Sequence, residues 1–427
     1  MVLIIFYFII FVVFNVLNVN SIQISVNNEK DILDNLNSQK NDDIIFNILN
    51  ISVNLLNQID ISNEYIEKIS IIGNSKENSS INFTNNSNGF IFNSHLKEIY
   101  LKKITISGHL QFNNIKKVII EDVILNGTID FKPNCNNDET VEINNFWYNP
   151  ASNTKSSCIR LFGNVNILNS YFYGSQICQD SILYYDGESK NSLSISDTNF
   201  DGAYLNNCLY INDAISSEIS SSSFNNGGDY SGNGGGAIRG ENSYINIKEC
   251  EFKNNFSLTN GGVFHFYDSI VNADELTIYN STASEKGGLI YLYSTNNNRT
   301  IVNINNSIQS ETNNINQSKN FRGLIASVEG YSNLIMENFN GNDLNAGNGI
   351  SAFTINKGSS IELKEIVLDN VSGSNVGGVL FTAYDEEIGS SFVVINGIFS
   401  NFYQNYRISP SSTFIWVNEK INILIQE

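Results

Sequence analysis

The 427-residue chain contains only three prolines, three histidines, two tryptophans and two methionines. Proline removes a backbone donor, so its scarcity leaves long stretches free to build hydrogen-bonded ladders. The histidines, His95, His109 and His265, lie far apart with no convergent base or carboxylate beside them. A lone histidine of this kind is a surface residue and not half of a catalytic set. Basic residues are scarce too: 24 Lys and Arg stand against 43 Asp and Glu, a net charge of −19. Lys102-Lys103 and Lys116-Lys117 are isolated pairs. No basic cluster exists to hold a phosphate backbone, which argues against nucleic-acid partners. Gly232-Asn233-Gly234-Gly235-Gly236 is followed by neither Lys-Ser/Thr nor a helix, so it is not a nucleotide phosphate loop. The five cysteines, Cys135, Cys158, Cys178, Cys208 and Cys250, lack CxxC spacing, which argues against a zinc site. Helical periodicity is nearly absent after residue 45, and no long apolar run follows Val2 to Leu17.

What the chain does have is a recurring glycine doublet. Gly235-Gly236-Ala237-Ile238, Gly261-Gly262-Val263-Phe264 and Gly287-Gly288-Leu289-Ile290 follow one another at intervals of 26 residues. The series weakens at Arg322-Gly323-Leu324-Ile325 and Asn348-Gly349-Ile350 and returns at Gly377-Gly378-Val379-Leu380. A fixed period of this length is the mark of stacked repeats, each burying its apolar face on its neighbours. In step with the doublets, short alternating strands end in an apolar residue, one variable residue, then Gly or Asn. Examples are Phe172/Gly174, Phe200/Gly202, Phe224/Asn226, Phe252/Asn254, Ile278/Asn280, Phe339/Gly341 and Phe399/Asn401. Gly and Asn tolerate a left-handed backbone, so each pair predicts a strand closed by a tight turn.

These units predict an all-β, single-stranded parallel solenoid of on the order of a dozen coils, with strands about 4.8 Å apart. Phe172, Phe200, Phe224, Phe252, Phe339 and Phe399 are expected to stack inside it. Asn226, Asn254 and Asn280 are expected to form an amide ladder at the turn. The doublets are expected where the chain bends sharply or has no room for side chains. Residues 1–21 read as a signal peptide, although a basic n-region is missing and an uncleaved anchor is the alternative. Residues 22–45 read as an N-terminal cap with a short helix over Glu29 to Leu36, because an end repeat needs a polar lid. The solenoid occupies 46–427, with shorter coils over 46–130 and doublet repeats over about 160–402. Loops are expected at Pro133 to Ser157 and Tyr291 to Asn303, where turn residues are in excess.

The pattern resembles the right-handed parallel β-helix of the pectin-lyase-like superfamily. More narrowly it is similar to the polymorphic outer-membrane-protein type repeat, with its GGA-I and F-x-x-N motifs. Here these stand as Gly235-Gly236-Ala237-Ile238 followed by Phe252-Lys253-Asn254-Asn255. Enzymes of that superfamily cut acidic polysaccharides. The resemblance would imply Asp-Asp and Asn-Thr-Asp strings with His and an Arg-Ile-Lys segment in a hydrolase, or Asp-held Ca²⁺ with a basic residue in a lyase. Those strings are missing from the coils, since the one Asp-Asp is Asp42-Asp43, near the cap. Arg160 and Arg239 fall on equivalent strands but too many coils apart to cooperate, and each is expected in a surface salt bridge.

Two weaker signals remain. An acidic series follows the doublet strand at Asp186, Asp213, Glu241, Asp268, Glu329 and Asp385. Of these Asp186, Asp213, Asp268 and Asp385 are candidate Ca²⁺ ligands, against the alternative of a solvated turn edge. Trp147, Tyr184, Tyr185, Tyr267, Tyr291 and Tyr293 are candidates for stacking on sugar rings, against the alternative that half of them are core. Acceptor triplets for N-glycans occur at Asn50, Asn78, Asn82, Asn85, Asn126, Asn255, Asn280, Asn298, Asn305, Asn316 and Asn370. Cys158 with Cys178 is the first choice of disulfide, and Cys208 and Cys250 read equally well as buried thiols. The expectation is a secreted or cell-surface, non-catalytic β-helix that binds an extracellular glycan or surface protein and needs no cofactor. The alternatives are a polysaccharide lyase or glycoside hydrolase, and a structural wall or coat component.

Overall fold

A computed structural model describes residues 21–426 except 86, 133–138, 152–157, 296–298, 314–320, 347–350, 374–379, 384–388, 405–413 and 418–420. The segment Val2 to Leu17, Cys135, Asn298, Asn316, Gly349, Gly377-Gly378 and Asp385 lie outside the described residues.

Alternating short strands cannot bury an apolar face alone, and here they do so by coiling. Most coils supply three strands, one to each face, and each pairs in parallel with its equivalent one coil away. Ser216–Ser220, Tyr244–Lys248 and Ile270–Asp274 form part of a first face. Ser223–Asn225, Glu251–Lys253 and Thr277–Tyr279 belong to a second. Asn207–Asn212, Ile238–Glu241, Phe264–Tyr267 and Ile290–Tyr293 belong to a third. The protein is thus a parallel β-solenoid, and its core is the axis of the coil. Ile245, Ile247, Phe252, Ile238, Phe264 and Phe266 all point there and are buried.

The register delivers the aromatic ladder. Phe172, Phe200, Phe224 and Phe252 stack with ring centroids 4.9, 5.0 and 5.1 Å apart and planes within 11°. Phe339 does not join it. The residue in register with Phe252 runs on through Ile278, Gln309, Gly341 and Leu368 to Phe399. Phe339 sits two residues earlier and packs against the space that Gly341 leaves beside Leu344 and Leu368. Phe399 is in register but only partly buried, with Phe402 and Phe414 as its ring neighbours.

The corners follow the expected chemistry. Asn226, Asn254 and Asn280 adopt φ of 52°, 57° and 44°. Asn280 donates its side-chain amide to Asn254 (3.0 Å) and Asn254 to Asn226 (3.3 Å), which is the predicted ladder. The doublet glycines divide the two expected roles between them. Gly235, Gly261 and Gly287 take φ of 78°, 67° and 63°, where an L side chain is strained. Gly262 is tight instead, since a Cβ there would lie 2.2 Å from the Gly288 carbonyl oxygen.

Cys158 and Cys178 form a disulfide with Cα atoms 5.1 Å apart, and Cys208 and Cys250 are free, buried thiols. The helix α1, Glu29–Ser38, opens on a capping box between Asn28 and Asp31 and sends Ile32 and Leu36 into the core. The expected loop at Pro133 to Ser157 is corrected in its middle, where Thr140–Asn149 is a strand. Its alternation buries Phe146 and Tyr148 and turns Trp147 outward. Likewise Ile301–Asn305 is a strand where Tyr291 to Asn303 was expected to loop.

Candidate functional site

Side chains that alternate with the core on the third face make two outward rows. The first runs Arg160, Tyr184, Tyr210, Arg239, His265, Tyr291 on successive rungs. The second, two residues further along each strand, runs Phe162, Asp186, Asn212, Glu241, Tyr267, Tyr293, Glu329. Parallel rungs at about 4.8 Å place these groups at near-contact distance, and they use it. Tyr184 donates to Asp186 at 2.9 Å, and Tyr210 donates to Glu241 at 2.7 Å. Arg239 lies 4.5 Å over the Tyr210 ring and donates from Nε to Glu241 at 2.9 Å. Tyr267 and Tyr293 stack with centroids 5.6 Å apart at 13° and remain half-exposed. Lys286 pairs with Glu329 at 2.9 Å, and the Tyr291 hydroxyl donates to the same carboxylate at 3.2 Å.

A segment over residues 229–236 walls the strand-start edge of this face. Its anchor is Asp229, a carboxylate 2% exposed that accepts four hydrogen bonds. These come from the Ser231 amide (3.1 Å), the Ser231 hydroxyl (2.7 Å), the Gly234 amide (2.8 Å) and the Ser257 hydroxyl (3.0 Å). A buried charge held this completely is structural. The segment then lies on His265, whose Nδ1 is 2.8 Å from the Asn233 carbonyl oxygen. Burial first, and the neighbouring Arg239 cation second, push the His265 pKa down to about 4. The hydroxyl of Ser231 also reaches Asp180 at 3.5 Å, two rungs back. Burial, with the Asp229 charge against it, raises the Asp180 pKa, while Arg239 and hydrogen bonds from Asn233 and Ser231 pull it down. Asp180 precedes the strand Ser181–Asp186, whereas Glu241 is in register with Asp186 at its far end, so the raised carboxyl and the arginine-paired one stand at opposite ends of the face.

The sequence candidates divide accordingly. Tyr184, Tyr267 and Tyr293 stand on the outward rows. Tyr185 is corrected to a core residue, fully buried with its hydroxyl donating to the Gly163 carbonyl at 2.9 Å. Tyr291 is in the row but only 7% exposed, beneath Lys286 and against His265. Trp147 stands on the second face, away from this site. The acidic series does not form one stack. Asp186 and Glu241 share a row with Asn212 between them, while Asp213 and Asp268 fall one residue later at left-handed corners flanking Asn242. Asp213 is engaged by the Asn212 amide, and Asp268 by Thr295 through both amide and hydroxyl. Among the described residues no three His, Cys, Asp or Glu side chains converge as a metal-holding group. Arg239 and Arg160 sit in salt bridges as expected, with Glu241 and Asp130.

Of the glycan acceptors, Asn255 is corrected. It is 1% exposed, donating to the Phe224 carbonyl and accepting from the Gly227 amide. Asn50, Asn78, Asn85 and Asn280 are exposed, and Asn82, Asn126, Asn305 and Asn370 half-exposed. Tyr210 and Asp180 escaped sequence reading. Tyr210 lies 26 residues after Tyr184, so the register carried a signal for it, whereas Asp180 gains its environment from a segment about 50 residues away.

No known protein family and no curated protein matches the sequence. Among solved structures the chain is similar to the Agl-KA catalytic domain, at 14% identity and a TM-score of 0.40, over 93% of this chain and 65% of that one. It is also similar to the catalytic unit of a thermostable GH87 alpha-1,3-glucanase from Streptomyces thermodiastaticus strain HF3-3. There the identity is 11% and the TM-score 0.38, over 90% of this chain and 69% of that one. The chain thus spans about two thirds of the length of either domain. Likeness at this level extends to no particular residue.

Proposed function

We propose that the protein is a secreted carbohydrate-binding β-solenoid that holds an extended polysaccharide along the outward rows of the third face. The observation that carries this reading is the continuous run of rings and ion pairs from Tyr184 to Tyr293, with Tyr267 and Tyr293 stacked and half-exposed. Aromatic faces pack on sugar rings, and the flanking Asn212, Arg239 and Glu241 supply directional polar groups. The Cys158–Cys178 disulfide suits an oxidising compartment. Helix α1 closes the first coil in this picture, with Ile32 and Leu36 covering the axis.

Hydrolysis of the bound polymer is the second reading, favoured by Asp180. Its raised pKa fits a proton donor, and Glu241, at the opposite end of the strands, is the second carboxyl of the same face. One experiment separates the two. The intact protein is run through gels containing α-1,3-glucan, β-1,3-glucan or polygalacturonate, and incubated with each polymer while reducing ends are counted. Retention that falls about tenfold in Tyr267→Ala/Tyr293→Ala supports binding on this face. Reducing ends that appear with the intact protein and vanish in Asp180→Asn support hydrolysis. No retention and no product with any polymer ends both readings.

A further inference from the structure

The second face carries aromatic residues of its own, and the third-face site does not use them. Trp147, the middle of the alternating Phe146-Trp147-Tyr148, points outward with 47% of its surface exposed. On the next rung Tyr171 lies beside it, ring centroids 4.8 Å apart and planes 33° from parallel. Two residues on, Tyr173 is again outward and 40% exposed. The core neighbours of these residues, Tyr148 and Phe172, are already in register beneath them, so the outer rings close no gap in the interior. Large rings left in water on adjacent rungs are unfavourable unless something covers them.

The surroundings define what that is. The row containing Trp147 and Tyr171 follows Ser80, Thr105 and Ile124 of earlier rungs and continues to Asn199, and the stretch from Ile124 to Asn199 surrounds the rings. The row beside it holds Asn126 and Asn149, with Asn149 donating to Asn126 at 3.2 Å, then Tyr173 and Asp201. Amides abound, one carboxylate is present, and no cation stands in either stretch; Lys76, which reaches Asn145 at 3.4 Å just before them, is committed to Asp122 at 2.9 Å. A uronic or sulphated polymer would find no counter-charge there, whereas a neutral pyranose offers a C–H face to the rings and hydroxyls to the amides.

We propose that Trp147, Tyr171 and Tyr173 form a second carbohydrate platform, specific for neutral glycans and independent of the third face. The inference shares the carbohydrate class of the function proposed above but neither its residues nor its face. Two platforms on different faces of one rod would let a single molecule bridge two polymer chains.

Fluorescence tests this directly. The sequence has two tryptophans, so the full chain carrying Trp416→Phe reports from Trp147 alone. Neutral α-1,3- and β-1,3-linked glucose hexasaccharides are titrated in, with a galacturonate hexasaccharide as the charged comparison. The expected result is a saturable blue shift with at least one neutral probe and none with galacturonate. It should persist in Tyr267→Ala/Tyr293→Ala and weaken about tenfold when Tyr171→Ala and Tyr173→Ala are added. The thermal midpoint of each variant shows that it is folded. Emission unmoved by both neutral probes overturns the platform and leaves the third-face reading standing. A shift abolished by Tyr267→Ala/Tyr293→Ala overturns its independence. Asn126 is an acceptor triplet on the neighbouring rung, so Asn126→Gln is included. If that change alone moves the emission and added probe does not, the platform serves the chain's own glycan and the proposal falls.

Discussion

Two stretches of the same solenoid solve the same folding problem at different lengths. From Glu98 to Lys132 one coil takes 19 residues, as the pairing of Glu98 with Lys117 shows. From Ile238 to Tyr293 it takes 26, Ile238 pairing with Phe264. In the shorter coils the strands Glu98–Asn113 and Lys117–Lys132 run through all three faces without a break. They bend at single left-handed residues, Lys103 (φ 52°) and Asp122 (φ 55°). Their third-face outward residues are His109, Gln111 and Asn113 against Thr128, Asp130 and Lys132, with no Tyr, Phe or Trp among them. In the longer coils the extra residues leave the barrel as an added short strand, Phe256–Ser257, and as the 229–236 segment. The core needs only the shorter coil. The additional residues add a few buried side chains, among them Val263, Ala283 and Leu289, and build the wall that shapes the candidate site.

The largest way to break this comparison is at the doublet. Gly262→Val puts a Cβ within 2.3 Å of backbone atoms of both Thr282 and Gly288. Neither can yield without moving a rung, so a loss of more than about 4 kcal/mol is expected, read as failure to recover soluble protein or collapse of the urea midpoint. Near-native stability would mean that the doublet is dispensable to the longer coils. Acid comes next. The folded chain does not protonate His265 until about pH 4, whereas the unfolded chain does so near 6.5. Its contribution to stability is therefore complete above pH 6.5, declines between 6.5 and 4, and is constant below. His265→Gln should flatten the fall of the thermal midpoint across that window, and an unchanged pH profile would separate the wall from the stability of these coils. The smallest effect has opposite signs in the two regions. Lys103→Gly relieves a left-handed side chain and should stabilise by about 0.5–1 kcal/mol. Asn254→Gly removes two amide hydrogen bonds from the ladder and should destabilise by about 1 kcal/mol. A rise in midpoint for both would show that the ladder contributes nothing.

Legibility followed the range of the interactions. Strand alternation, the left-handed asparagines and the Phe172-to-Phe252 stack depend on residues at a regular spacing, so a periodic reading found them. Phe339 was misplaced because Gln309 and Gly341 break the apolar period, leaving two registers equally plausible by spacing alone. Tyr185 was assigned to the wrong side of its strand for a related reason. In a period of two, a shift of one residue exchanges inside for outside, and only the pairing partners set the phase.

The order of residues along the chain was enough to determine the coil, its rungs and its corners, because each is fixed by side chains that meet their own equivalents one turn away. Which outward groups share a surface, and with what charge, was decided by tertiary structure. Asp180, Asp229, Arg239 and His265 come together only because a segment crosses from one rung to others and takes water from them. Contacts of that kind have no period, and the desolvation that alters the acids and bases exists only once the chain is wound.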